Sequence, residues 1–344
     1  MLKKIAVCFS VFCAVNATAL PFSAQHAIVV NDDSGAVLLE KNADTVVPIA
    51  SLTKLMTAMV VLDSKPNMAE PIAILADDVD LIKHSKSRVP VGSTLPRRDV
   101  LQLALMSSDN RAAASLARTY PGGHPAFAQA VARKIQALGM TRTSIKEPTG
   151  LNPENTSTAA DLAKMALAAS KYPTIVELST HSGEEIALKG RQVPFRNTNR
   201  LVGKSGWDVQ LSKTGFINEA GHCLIMRIKQ NGKNATLVLL NAPGGATYAD
   251  ARNIRQFLGG ASAPDRVQLA QASPARAVKA SLVKAPVRKV ELAKAPVRKV
   301  QLAKARTVKP YVGKVFIVTT AKMKAKKKAA VATVNHKRRH QPNA

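Results

Sequence analysis

Hydrophobic periodicity changes twice along this chain, and the order of those changes restricts the architecture more than any other feature. Residues 26–30 and 36–40 are short β-type runs around Asn31-Asp32-Asp33-Ser34-Gly35, a turn-rich link that predicts a hairpin. A helical block follows. Leu55, Met59 and Leu62 recur at helical spacing and predict a buried amphipathic helix with Ser51 at its start, ending near Asp63. Residues 66–96 mix Pro, Asp and short apolar runs and read as loops and small strands. Residues 99–106 and 111–118 read as two helices joined at Ser107-Ser108-Asp109-Asn110. Residues 125–138 form another, closed by Gly139, and a capping box of Thr158 and Asp161 opens a fourth over 159–170.

The period then returns to two. Residues 209–217, 222–230 and 236–241 read as strands, with the hairpin dipeptide Asn231-Gly232 between the last two. Residues 247–258 predict a final helix, stopped by Gly259-Gly260. Two strands, a helical block, three strands and a helix predict an α+β fold: one antiparallel sheet with helices on its faces.

Patterning stops near Leu258, so the domain is expected to span residues 20–260. Beyond it the chain changes character. From Asp265 to Ala344, 21 Lys and Arg stand against two acids, Asp265 and Glu291. A ten-residue repeat begins at Leu282 and Leu292 and degenerates from Leu302; Pro286 and Pro296 forbid a continuous helix through it. Residues 261–344 therefore read as a disordered, Lys/Arg/Ala/Pro-rich cationic tail. The whole chain carries 50 Lys and Arg against 22 Asp and Glu, a balance that favours anionic partners.

The first residues have the shape of a secretory signal. Lys3 and Lys4 precede an apolar run over 5–15, and Ala17-Thr18-Ala19 supplies a small-x-small site, so cleavage is expected after Ala19, with Ser23-Ala24 as a second candidate. That run is well short of the ~20 apolar residues a spanning helix needs. Cys8 and Cys13 fall inside the signal and leave Cys223 alone, so no internal disulfide can form and a packed core must supply stability. The histidines show no zinc-binding spacing, and none is expected to hold a metal.

Three short motifs carry chemistry. Ser51 and Lys54 are three residues apart and share a helix face. A serine hydroxyl needs a base within hydrogen-bond reach, and a lysine one turn away can serve if burial lowers its pKa. Ser108 and Asn110 lie at a helix junction, where a hydroxyl can relay a proton and an amide can hold a substrate backbone. Lys213 and Thr214 on a strand can hold a carboxylate, and Gly215 lets a substrate lie close against that strand. Lys204-Ser205-Gly206 fits the same pattern but is followed by Trp207-Asp208, without the apolar alternation of an inner strand.

In this order the three motifs resemble the penicillin-binding and serine β-lactamase superfamily. The flanking words Pro48-Ile49-Ala50, Leu55-Met56-Thr57, Glu147-Pro148-Thr149-Gly150-Leu151, Pro194-Phe195-Arg196-Asn197-Thr198-Asn199 and Phe216 are similar to those of the low-molecular-mass D-alanyl-D-alanine peptidases, especially the endopeptidases. The resemblance covers roughly residues 20–260 and implies a five-stranded antiparallel sheet with a helical subdomain. It implies an acyl-enzyme reaction on peptidoglycan stem peptides without metal or cofactor. Ser51 would be the nucleophile, Lys54 its base and Ser108 the proton relay. Asn110, Lys213, Thr214 and Gly215 would bind substrate, and backbone N–H groups of Ser51 and Phe216 would form the oxyanion hole. β-Lactams would trap Ser51 covalently.

Two related activities compete: a D,D-carboxypeptidase, which removes a terminal D-Ala, and a class A β-lactamase, for which Glu147 would be the base. The run from Glu147 to Asn152 is one residue too long for the latter, and Glu147 reads as structural. In a secreted protein the tail's expected partner is the anionic cell envelope rather than nucleic acid.

Overall fold

The computed structural model describes residues 22–260; the expected signal at 1–19 and the basic segment 261–344 lie outside them. The elements run in the expected order. Strands β1 (His26–Asn31) and β2 (Val37–Lys41) form the first hairpin, followed by the short β3 (Val47–Pro48). A 3₁₀ turn at Ala50–Leu52 leads into α1 (Thr53–Asp63), then β4 (Pro71–Ala73), β5 (Thr94–Pro96), α2 (Arg97–Leu105), α3 (Asn110–Arg118) and α4 (Gly123–Ala137). Next come β6 (Thr156–Ser157), α5 (Ala159–Ala169), α6 (Pro173–Thr180) and the hairpin β7 (Gly183–Leu188) with β8 (Arg191–Arg196). Three long strands, β9 (Asp208–Ile217), β10 (Gly221–Gln230) and β11 (Lys233–Ala242), precede the last helix, α7 (Ala246–Leu258).

The main sheet has five strands in the order β2-β1-β11-β10-β9, with every neighbour antiparallel. Chain order puts the two ends of the domain together, so β1 pairs with β11 across the whole sequence. Asn231 and Gly232 both take positive φ (51° and 77°), the geometry a tight β10–β11 turn demands. Both faces of the sheet are covered. Val29, Leu237, Leu239, Leu224 and Met226 pack with Ala251 and Ile254 of α7. Their strand neighbours Ile28, Val30, Val238, Leu240 and Ile225 face the helical block. Because both alternating sets are apolar, β11 reads as a nearly continuous hydrophobic run.

Helix α1 corrects an expectation. Thr53 to Val61 are all buried, so the helix is apolar all round rather than amphipathic. Helices α2 through α6 pack around it. Its few polar side chains find backbone acceptors: Thr53 Oγ1 donates to Ala50 O at 2.8 Å and Thr57 Oγ1 to Pro148 O at 2.7 Å. Ser51 sits in the 3₁₀ turn just ahead of the α-helix.

Half of the expected capping box forms. Thr158 Oγ1 accepts from Asp161 N at 3.0 Å, a cap worth about 1 kcal/mol. The Asp161 carboxylate turns away to accept from Arg142 N (2.9 Å) and Lys164 Nζ (2.8 Å). Among the described residues no helix is long and apolar enough to cross a membrane.

Candidate active site

Four elements converge on Ser51. The 3₁₀ turn carries the hydroxyl, the first turn of α1 carries Lys54, the α2–α3 junction carries Ser108 and Asn110, and β9 carries Lys213 to Phe216. Lys54 Nζ donates at 2.7 Å to each of three acceptors: Ser51 Oγ, Asn110 Oδ1 and the backbone oxygen of Thr149. Lys213 Nζ donates to Ser108 Oγ at 2.8 Å and to Thr214 O at 2.9 Å. Both lysines are only 1% exposed, an unusual state for a side chain that ordinarily keeps its charge in water.

Burial sets their chemistry. Desolvation pulls the Lys54 ammonium down to about 8, and the carboxylates of Glu147, Asp109 and Asp80 hold it from falling further. Desolvation also pushes Lys213 well below its ordinary value, and the charge of Lys54 adds to that push. Two like charges in one buried site discourage each other, so the pair titrates together. A neutral Lys54 bonded to Ser51 Oγ is a competent base near neutral pH.

The backbone around the hydroxyl is strained. Ala50 and Ser108 hold φ of 48° and 59°, in the left-handed region where residues with a Cβ cost about 1–2 kcal/mol. Gly150 presses against the first of them: a Cβ there would stand 1.9 Å from Ala50 O. Gly215 presses from the other side, where a Cβ would meet Ser51 N at 3.0 Å and Ala50 Cβ at 3.1 Å. This corrects the reading of Gly215 as room for substrate, because the space is filled by the protein's own nucleophile turn.

β9 is an edge strand, and its open side faces the site. Ser212 N donates to Ser179 Oγ of α6 at 3.3 Å, away from β10. The register with β10 is unbroken from Ser212 to Ile217, so strand alternation turns the N–H groups of Thr214 and Phe216 the same way. The Phe216 N–H thus points off the sheet beside Ser51. The Phe216 ring is 54% exposed and lies on His222, centroids 4.6 Å apart.

The expected residues come together around Ser51. Ser108 bonds to Lys213. Asn110 spends its carbonyl on Lys54 and donates from Nδ2 to Ser85 Oγ at 2.8 Å. Asp109, between them, caps α3 by accepting from Ala112 N at 3.0 Å and accepts from Ser87 Oγ at 2.6 Å. Lys204 and Gly206 lie in a loop outside β9, away from the buried row that holds Lys213.

The Glu147 carboxylate accepts from the backbone of Thr149 (2.7 Å) and Gly150 (2.6 Å) and from Asn155 Nδ2 (3.0 Å). These bonds fold the 147–151 loop against Ala50, as the structural reading expects. Thr149 O and Ser85 were not singled out from sequence. One is a backbone atom and the other an isolated serine, and neither leaves a pattern. Among the described residues no group of three or more His, Cys, Asp or Glu side chains gathers where a metal could sit.

Residues 14–244 match the family model described as D-alanyl-D-alanine carboxypeptidase. The chain is 49% identical over 235 residues to a D-alanyl-D-alanine endopeptidase of Pseudomonas aeruginosa, covering 67% of this chain and 76% of that protein. It is 45% identical over 249 residues to a D-alanyl-D-alanine endopeptidase of Escherichia coli K12, covering 71% and 80%. The Streptomyces K15 DD-transpeptidase superposes with a TM-score of 0.66 at 27% identity over 72% of this chain and all of the other. Penicillin-binding protein D2 of Listeria monocytogenes in its ampicillin-bound form gives a TM-score of 0.60 at 29% identity, over 71% of this chain and all of that one.

Proposed function

The chain belongs to the D-alanyl-D-alanine carboxypeptidase family of serine peptidases, and from that premise we infer that it is a D-alanyl-D-alanine endopeptidase. It hydrolyses D-alanyl cross-links between peptidoglycan stem peptides through an acyl-enzyme. The observation that carries the mechanism is the 2.7 Å contact between the buried Lys54 Nζ and Ser51 Oγ, across which the serine proton passes once the amine is neutral.

Neutral Lys54 takes the Ser51 proton as Oγ attacks the D-Ala carbonyl carbon. Negative charge moves to the carbonyl oxygen, which the N–H groups of Ser51 and Phe216 receive. The tetrahedral centre collapses, the C–N bond breaks, and the departing amine takes the Ser108 proton, which the proton gained by Lys54 replaces. Lys213 and Thr214 hold the carboxylate beside that amine, and Asn110 fixes Lys54. Water then attacks the ester, giving a proton to Lys54, and Lys54 returns it to Ser51 Oγ as the new carboxylic acid leaves. A β-lactam enters by the same first step and stays on Ser51.

The test is to incubate purified protein, and its Ser51→Ala form, with cross-linked dimeric muropeptides and to identify the products by chromatography and mass. Dimers should become monomers, penicillin should block the conversion, and the variant should show none. Release of terminal D-Ala alone would establish the carboxypeptidase reading, which the family description favours.

We place this enzyme in the periplasm, exported by a signal cleaved after Ala19. That site keeps Ala24, which is fully buried and whose N–H donates to Asp250 Oδ2 at 2.8 Å. The basic segment 261–344 then holds the enzyme on anionic envelope surfaces by charge. Binding to isolated sacculi should weaken steeply with added salt, because exposed charges are screened over about 8 Å at physiological ionic strength. Equal binding by a chain ending at Gly260 would remove the segment from that role.

A further inference from the structure

The segment joining β8 to β9 is pinned at alternate residues. Asn197 Nδ2 donates to Ser179 O (2.9 Å) and His181 O (2.8 Å), and Asn199 Nδ2 donates to Ser212 Oγ (2.9 Å). Asn199 N donates to Asn197 Oδ1 at 2.9 Å, Leu201 N to Asn199 Oδ1 at 3.0 Å, and Thr198 N to Met106 O at 3.0 Å. Asn199 and Leu201 are buried, while Thr198 and Arg200, which alternate with them, face solvent.

These two exposed residues adjoin the site. Thr214 Oγ1 donates to Thr198 Oγ1 at 2.6 Å. Tyr248, on the first turn of α7, donates its hydroxyl to Thr198 O at 3.1 Å. The Arg200 guanidinium lies on the Tyr248 ring, 4.2 Å from its centroid. A guanidinium ordered by an aromatic face keeps its fork of N–H donors for another group.

We propose that Thr198, Arg200 and Tyr248 form a subsite for the acceptor stem of a cross-linked substrate, with Arg200 taking a carboxylate of that stem. The proposal rests on the endopeptidase reading and deepens it. When a terminal D-Ala leaves, the leaving group ends at the carboxylate held by Lys213 and Thr214. When a cross-link is cut, the leaving amine belongs to a residue that continues into a second, anionic stem peptide. Chain passing the Thr214 hydroxyl meets Thr198 next, and then the Arg200–Tyr248 pair. The pinned backbone means that little ordering cost falls on binding.

The test compares full-length Arg200→Ala and Arg200→Lys with wild type on three reactants: cross-linked dimeric muropeptide, monomeric pentapeptide muropeptide and penicillin. Losing an exposed charge-assisted contact should raise KM for the dimer about tenfold, with kcat little changed. Pentapeptide trimming and penicillin acylation, which have no acceptor stem to reach Arg200, should stay within about twofold. Arg200→Lys should fall between, keeping the charge but not the fork. An unchanged dimer KM would overturn the subsite, as would an equal fall on all three reactants, which would mark a structural defect. Wild-type protein that leaves dimers intact would overturn the endopeptidase reading itself, before any variant is compared.

Discussion

Lys54→Met should acylate with penicillin roughly 10²–10⁴ times more slowly than wild type, the range general base catalysis supplies. The wild-type rate itself should climb about tenfold per pH unit and level off above about pH 8, where the buried ammonium loses its proton. The sign follows from the base. Only neutral Lys54 can accept the Ser51 proton, and desolvation lowers its pKa, so raising pH fills the active form. Because Lys213 titrates in the same buried site, the rising limb belongs to the pair.

The folded state should tolerate the methionine. Asn110 Oδ1 and Thr149 O each lose a donor, at about 1–3 kcal/mol per orphaned group. Relief from burying an ammonium offsets much of that. Stopped-flow acylation across pH, with a thermal melt of the variant, decides the matter. A flat pH profile, or a variant that acylates at the wild-type rate, would remove Lys54 from the role of base.

Gly150→Ala is expected to cost as much by a different route. Gly150 holds φ of 85°, and a Cβ would lie 1.9 Å from Ala50 O, 2.3 Å from Ala50 C and 2.8 Å from Ser51 N. All three are backbone atoms, so no side chain can swing aside. Ala50 already holds a left-handed φ of 48° and has little room to yield. The Ser51 turn must therefore shift, and a displacement of about 1 Å at a reacting atom can cost about 100-fold.

Acylation should fall by that factor or more, with a lowered melting temperature. Gly190→Ala is the control. It shares a positive φ of 78° in the β7–β8 turn but has nothing within 4 Å of the new Cβ. It should lose about 1–2 kcal/mol of stability and keep its activity per folded molecule. Wild-type acylation by Gly150→Ala would show that the turn does not depend on that contact.

The sheet was legible because its strands are long and apolar on both faces, and because Asn231-Gly232 marks their reversal. The surroundings of α1 were not. Leu55, Met59 and Leu62 trace one face, but Met56, Ala58, Val60 and Val61 fill the rest, and apolarity all round is the mark of a central helix. Helix α6 and the β7–β8 hairpin are faint in the sequence, since both are short and β8 contains a proline. Their traces were Pro173 at the first helical position and Lys189-Gly190, both of positive φ, at the turn.

Within the site, the side chains that bear chemistry stood at readable spacings. What holds them did not. Lys54 reaches a backbone carbonyl 95 residues away, and Asn110 reaches a lone serine 25 residues away. Such contacts come from the folded path of the chain, and no local residue pattern encodes them.

A sheet margin ordinarily invites a second protein molecule to add its own strand. One of the two margins here is β9, the other being β2, and part of β9 is already engaged. Ser212 is engaged by α6, and the Thr214 side chain is engaged by the pinned segment through Thr198. The free row shrinks to the backbone around Thr214 and Phe216. That row is too short to nucleate aggregation but long enough to align one or two residues of an extended peptide. The same economy that shields this margin from other copies fits it to read short, straight ligands.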